Sequence, residues 1–116
     1  MEERLQKKML YTPARIGSME LKNRWIMLAM HTGYAEKDGS FSERDYAFYR
    51  KRADGGMAAI TLVGAVNEEG EQERMHRLDR PVVEEGLQKV CEIIHAADTK
   101  AIVQLFHARR NKRITE

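Results

Sequence analysis

Three short apolar runs, Trp25 to Met30 (WIMLAM), Met57 to Val63 (MAAITLV) and Ala101 to Phe106 (AIVQLF), are spaced so that one helix-length stretch lies in each gap. This spacing constrains the fold more than any other feature. Unbroken apolar runs of this length suit strands covered on both faces, and strands separated by helices join in parallel through right-handed crossovers. The predicted order is strand, helix, strand, helix, strand, which places the chain in the α/β class.

The helices carry their own signals. Ser42-Glu-Arg-Asp sets a capping hydroxyl three residues before an acid, and Tyr46, Tyr49 and Ala53 then share one face. Gly55 and Gly56 end this helix, since glycine accepts the left-handed conformation of a C-terminal cap. Asp79 is expected to cap the second helix and Pro81 to sit in its first turn, with Val83, Leu87, Val90, Ile94 and Ala97 forming its apolar stripe. Between them, Asn67 to Arg80 holds eight charged residues and reads as a solvated loop. It is longer than an ordinary strand-to-helix turn, and long loops at such places are often functional.

The totals exclude several functions. A chain of 116 residues holds one modest domain, and 20 basic against 18 acidic residues leave a net charge of +2, which points to neither nucleic acid nor an anionic membrane. Cys91 is the single cysteine, so no disulfide framework or four-cysteine metal site can form within the chain, a pattern that fits a reducing cytosol. The amino terminus, MEERLQKKML, has no apolar signal region, and no stretch reaches the ~20 apolar residues of a membrane span. The expectation is a soluble, cytoplasmic protein. Cys91 reads as a small buried residue, Met27 and Met57 as core filler, His76 and His95 as solvated, and the basic cluster from Arg109 to Arg113 as a solvated tail. No His-Glu-x-x-His or similar spacing is present, so no metal site is expected.

Ligands in parallel α/β sheets and barrels bind at the carboxyl ends of the strands, and His31, Thr32, Gly64 and His107 all fall there. Gln104 poses a sharper question. It interrupts AIVQLF, and a polar side chain buried without a partner costs roughly 1–3 kcal/mol. On its own it reads more readily as a strand residue satisfied by backbone or water than as a ligand to a cofactor.

Five stretches in order carry a resemblance that bears on this: LYTPARIGSMELKNR from Leu10, MHTG at Met30 to Gly33, RADGG at Arg52 to Gly56, and QLF followed by HARR at Gln104 to Arg110. With them the chain resembles the old yellow enzyme or NADH:flavin oxidoreductase family, close to its 2,4-dienoyl-CoA reductase-like branch. The resemblance implies the N-terminal part of a (β/α)8 TIM barrel, about three strands and two helices preceded by a short β-hairpin, with residues 1–116 forming part of a flavin-binding domain. It implies FMN as cofactor and NADH or NADPH as reductant. Backbone groups of Leu28, Ala29, Met30 and His31 and the main chain at Val63 would lie against the flavin, and the Gln104 amide would pair with its pyrimidine edge. Phe106, His107 and Arg110 would line the substrate pocket. Leu28-Ala29-Met30 stands where the family often has Ala-Pro-Met or Gly-Ser-Met, so that the larger Leu28 replaces a small residue, and Arg109 stands where it has Gly within His-Ala-Gly-Arg.

A complete barrel needs about 250 residues, so the family's tyrosine proton donor, its phosphate-binding groups and the cysteines of an iron–sulfur cluster are expected beyond Glu116 or on another chain. Two functions follow. One is the FMN-binding portion of an ene-reductase, passing hydride from NAD(P)H to a small-molecule activated alkene such as an enone or enoyl thioester. The other is an inactive barrel fragment that self-associates or pairs with a complementary chain, because an opened barrel leaves unpaired strand edges. A flavodoxin-like sheet shares the element order but needs a glycine-rich phosphate loop that is missing after the first strand.

Overall fold

A computed structural model describes residues 4, 8–66 and 75–107. The chain opens with an antiparallel hairpin, β1 (Ala14–Ile16) and β2 (Met19–Leu21), turned at Gly17 with φ +57°. A parallel sheet follows in the order β3 (Ile26–Met27), β4 (Ala59–Ala65), β5 (Lys100–Phe106), with helix α1 (Glu43–Asp54) after β3 and α2 (Val83–Ala96) after β4. This is the α/β arrangement expected, with three parallel strands of the eight in a (β/α)8 barrel.

Both faces of the sheet can be assigned from packing. Met27, Ile60, Leu62 and Ala101 pack with Tyr49, Ala53, Val83, Val90 and Ile94 of the two helices. Ile26, Ala59 and Ile102 pack instead with Leu21, Ala14 and Met19 of the hairpin. Successive strand residues alternate between faces, so β4 and β5 carry the helix layer on one side and the hairpin across the amino end of the other.

The LKNR stretch acts at that amino end. Lys22 Nζ donates to the Ala97 carbonyl at 2.6 Å, and Asn23 Nδ2 donates to the Gly56 carbonyl at 2.7 Å, clasping the ends of both helices. Gly56, at φ +98°, supplies the left-handed residue after α1, whereas Gly55 remains right-handed. Two of the sequence signatures, LKNR and RADGG, thus meet in one structural joint.

Several expectations change. β3 is two residues long rather than spanning Trp25 to Met30, because it pairs only with Ala59 and Ile60 and has no strand on its other edge among the described residues. Leu28 and Met30 are 77% and 58% exposed, not covered on both faces. Asp79 does not cap α2. Its carboxylate instead takes a two-pronged contact from Arg77, Nε at 2.9 Å and Nη2 at 2.6 Å, and Pro81 lies in the turn before the helix, which starts without a side-chain cap. The Asn67-to-Arg80 loop is not wholly solvated: residues 67–74 lie outside those described, but Met75, His76 and Arg77 are buried and Arg77 bridges to Ala65. His76 is therefore a core residue, while His95 is exposed as expected.

Candidate functional site

The carboxyl ends of the strands hold the residues singled out from the sequence. Val63 and Gln104 are register partners across β4 and β5, and Ala65 and Phe106 follow two residues on. Alternation puts Val63, Gln104 and Phe106 on the face away from the helices, since Ile102 below them faces the hairpin. Val63 is half-buried, and Gln104 is exposed with no side-chain hydrogen bond to any described residue. An amide with two donors and an acceptor on an open face is free to answer a ligand that displays both kinds of group.

Leu28, Ala29, Met30 and His31 lie just past the end of β3, on the other side of β4 from β5. Leu28, Met30 and His31 are exposed and Ala29 is half-buried. Phe106 is 37% exposed, His107 is exposed at the end of β5, and Arg110 lies outside the described residues. The structure thus brings Val63, Gln104 and Phe106 onto one strand face and sets the Leu28-to-His31 segment at the same rim. Among the described residues no three His, Cys, Asp or Glu side chains are placed to share a metal ion, and no helix is long and apolar enough to cross a membrane.

Gly64 explains how β4 keeps its ladder at this rim. A Cβ there would come within 2.8 Å of Leu78 Cγ and 3.0 Å of Val103 Cγ1, so the bare glycine lets Leu78 close over the helix side of the strand. Cys91 is half-buried, and burial pushes its thiol up, in keeping with a packing role.

A polar cluster that sequence reasoning missed lies behind this rim. Asp45, in the first turn of α1, is fully buried. Its Oδ2 accepts the Ser42 amide at 2.9 Å and the Ser42 hydroxyl at 3.1 Å, while Ser42 Oγ accepts the Asp45 amide at 3.4 Å, a complete capping box. Thr32 Oγ1 donates to Oδ1 at 3.4 Å. His76 Nε2 stands 3.0 Å from Oδ2, an ion-pair distance, but off the line of a well-aligned hydrogen bond. The His76 ring stacks on Phe41 with centroids 4.0 Å apart and planes 13° from parallel.

Burial alone would push the Asp45 carboxyl up. His76 and the Ser42 amide and hydroxyl outweigh it and hold the group below its ordinary value. Burial, with the Asp45 charge adding to it, pushes the Tyr49 phenol up to about 12. Of this cluster the sequence showed only the capping box of Ser42 and Asp45; the burial of His76 against it was not visible there.

Known proteins resemble the chain over most of its length. A metal reductase of Desulforamulus reducens is 35% identical over 102 residues, 87% of this chain and 15% of that protein. A cinnamate reductase of Clostridium sporogenes is 43% identical over 63 residues, 50% of this chain and 10% of that protein. A structure of a 2-naphthoyl-CoA reductase with 2-naphthoyl-CoA superposes with a TM-score of 0.81 at 25% identity, covering 87% of this chain and 16% of that one. The chain therefore spans about a sixth or less of the length of these relatives. The profile of the NADH:flavin oxidoreductase / NADH oxidase family matches residues 9–115. On that match, together with the strand order and the rim just described, the chain belongs to the NADH:flavin oxidoreductase / NADH oxidase family.

Proposed function

We propose that this chain forms the flavin-cradling part of an FMN-dependent oxidoreductase that draws hydride from NADH or NADPH and reduces an activated alkene, such as an enone or enoyl thioester. The observation that carries the reading is the side-by-side placement of Val63 and Gln104 on the open strand face of a chain in a flavin oxidoreductase family. The residues fit the group: an exposed amide without a partner among the described residues is suited to the alternating acceptors and N–H of a flavin's pyrimidine edge. FMN, when bound, supplies the two-electron redox chemistry. Gln104 holds and orients the pyrimidine edge. In this reading the main chain at Val63 and at Leu28 to His31 would lie against the ring system, and Phe106 and His107 would border the acceptor. An alkene acceptor is favoured by the relatives named for cinnamate and for 2-naphthoyl-CoA, both conjugated acyl compounds.

A flavin titration of the purified chain, read by quenching of FMN fluorescence, tests this. Gln104→Ala removes hydrogen bonds worth about 1–3 kcal/mol, a weakening of roughly 5- to 150-fold. Equal affinity of wild type and variant, or no saturable binding by a folded wild type, refutes the role.

A second reading rests on exposed apolar surface. Leu105 is 72% and Leu28 77% exposed, and β5 is an edge among the described strands. Such an edge favours association with a second copy or with a complementary chain supplying further barrel strands.

A further inference from the structure

The Asp45 cluster does more than a helix cap requires. A capping box is complete once Ser42 and the third helical residue exchange their backbone contacts, and it works well on a solvated surface. Here the carboxylate is removed from water altogether, which is costly unless each oxygen is satisfied. Oδ1 is met by Thr32 from the loop after β3, and Oδ2 by His76 from the loop after β4 as well as by Ser42. Three segments converge on one buried carboxylate.

Each is anchored elsewhere. The His76 carbonyl accepts the Ala65 amide at 2.8 Å, fixing it to the end of β4, and the ring is held flat against Phe41. The next residue, Arg77, donates its amide to the Gly39 carbonyl at 3.1 Å, so the two loops are also joined through the backbone. Thr32 Oγ1 accepts the Tyr34 amide at 3.3 Å while donating to Asp45. Upstream of Thr32, the chain from Leu28 to His31 leaves the sheet after two ladder pairs and is largely exposed. Thr32 is thus the polar tie between that segment and the buried core.

We infer that the buried Asp45 and His76 pair is a positioning device: acting through Thr32, it holds the Leu28-to-His31 segment in the conformation that faces the ligand at the strand rim. The two residues touch neither cofactor nor acceptor in this role. The identity of the ligand rests on the flavin reading above, whereas the positioning of the segment does not.

The test pairs hydrogen exchange with FMN titration on the full chain, using Thr32→Val, His76→Phe and His76→Gln. Phe keeps the stack on Phe41 without a donor, Gln keeps a donor nitrogen, and Val removes the tie without disturbing the pair. In His76→Phe, exchange in peptides spanning residues 29–35 should quicken by about tenfold, including at Tyr34, whose hydrogen bond is to Thr32 and not to His76. FMN binding should weaken by about tenfold in both His76→Phe and Thr32→Val, and His76→Gln should recover to within about threefold of wild type. Should His76→Phe fail to fold, Thr32→Val carries the test. Unchanged exchange at residues 29–33 in folded Thr32→Val, with FMN affinity equal to wild type, overturns the positioning role and leaves the flavin reading standing. Faster exchange in the variants of a wild type that binds no FMN supports the positioning role and refutes the flavin reading.

Discussion

Asp45 shows how a single residue links stability to pH. Its carboxyl is held below the ordinary value of 3.8 in the folded chain, so folding favours the charged form. The resulting stabilisation is fully present above that ordinary value and is lost as pH falls through the lower folded value. Urea unfolding midpoints measured from pH 7 down to pH 2.5 should therefore fall more steeply below about pH 4 in the wild type than in Asp45→Asn. At pH 7, Asp45→Ala removes the capping-box acid and leaves Thr32 and the buried His76 without their partner, and should cost about 2–4 kcal/mol. The pair of Arg15 and Glu20 makes the contrast. Their side chains are 63% and 74% exposed, and Arg15→Ala should change stability by less than about 1 kcal/mol because solvent screens the pair.

At the scale of elements, the two helices begin in different ways. α1 starts at the Ser42 capping box, and Ser42→Ala should lower stability by about 0.5–2 kcal/mol in thermal or urea unfolding. α2 has no side-chain cap and is held by its apolar face, through Val83, Val90 and Ile94. β4 depends on an absent side chain. Gly64→Ala would press a methyl group into Leu78 and Val103, and overpacking of this kind should cost about 1–3 kcal/mol, visible as a lowered urea midpoint. A Gly64→Ala chain as stable as wild type would mean that Leu78 can move aside freely.

At the scale of the whole molecule, β5 is an edge among the described strands, and its exposed apolar residues should favour association. Leu105 lies on this edge and is 72% exposed, so sedimentation should show association that increases with concentration. Leu105→Lys places a charge on the edge, a substitution that blunts strand-to-strand pairing, and should shift the distribution toward monomer. A wild type that sediments as a monomer at all concentrations removes the second reading. FMN binding by a defined oligomer would join the two readings in one assembly.

Local rules were sufficient wherever the causes lie close together in the chain. The order of strands and helices, the Ser42 cap, the stripe from Val83 to Ala97 and the alternation that sets Gln104 beside Phe106 all follow from periods of a few residues. Resemblance added the identity of the family, which periodicity alone could not supply. Tertiary structure decided the rest, because the partners come from distant parts of the chain. β3 stops at Met27 since only Ala59 and Ile60 pair with it. Asp79 turns to Arg77 instead of capping α2. His76 is buried in a loop whose composition reads as solvated, because Phe41 offers a ring to stack on and Asp45 a charge to meet. Whether a polar residue stays in water depends on the partner that folding brings to it, and no local pattern encodes that partner.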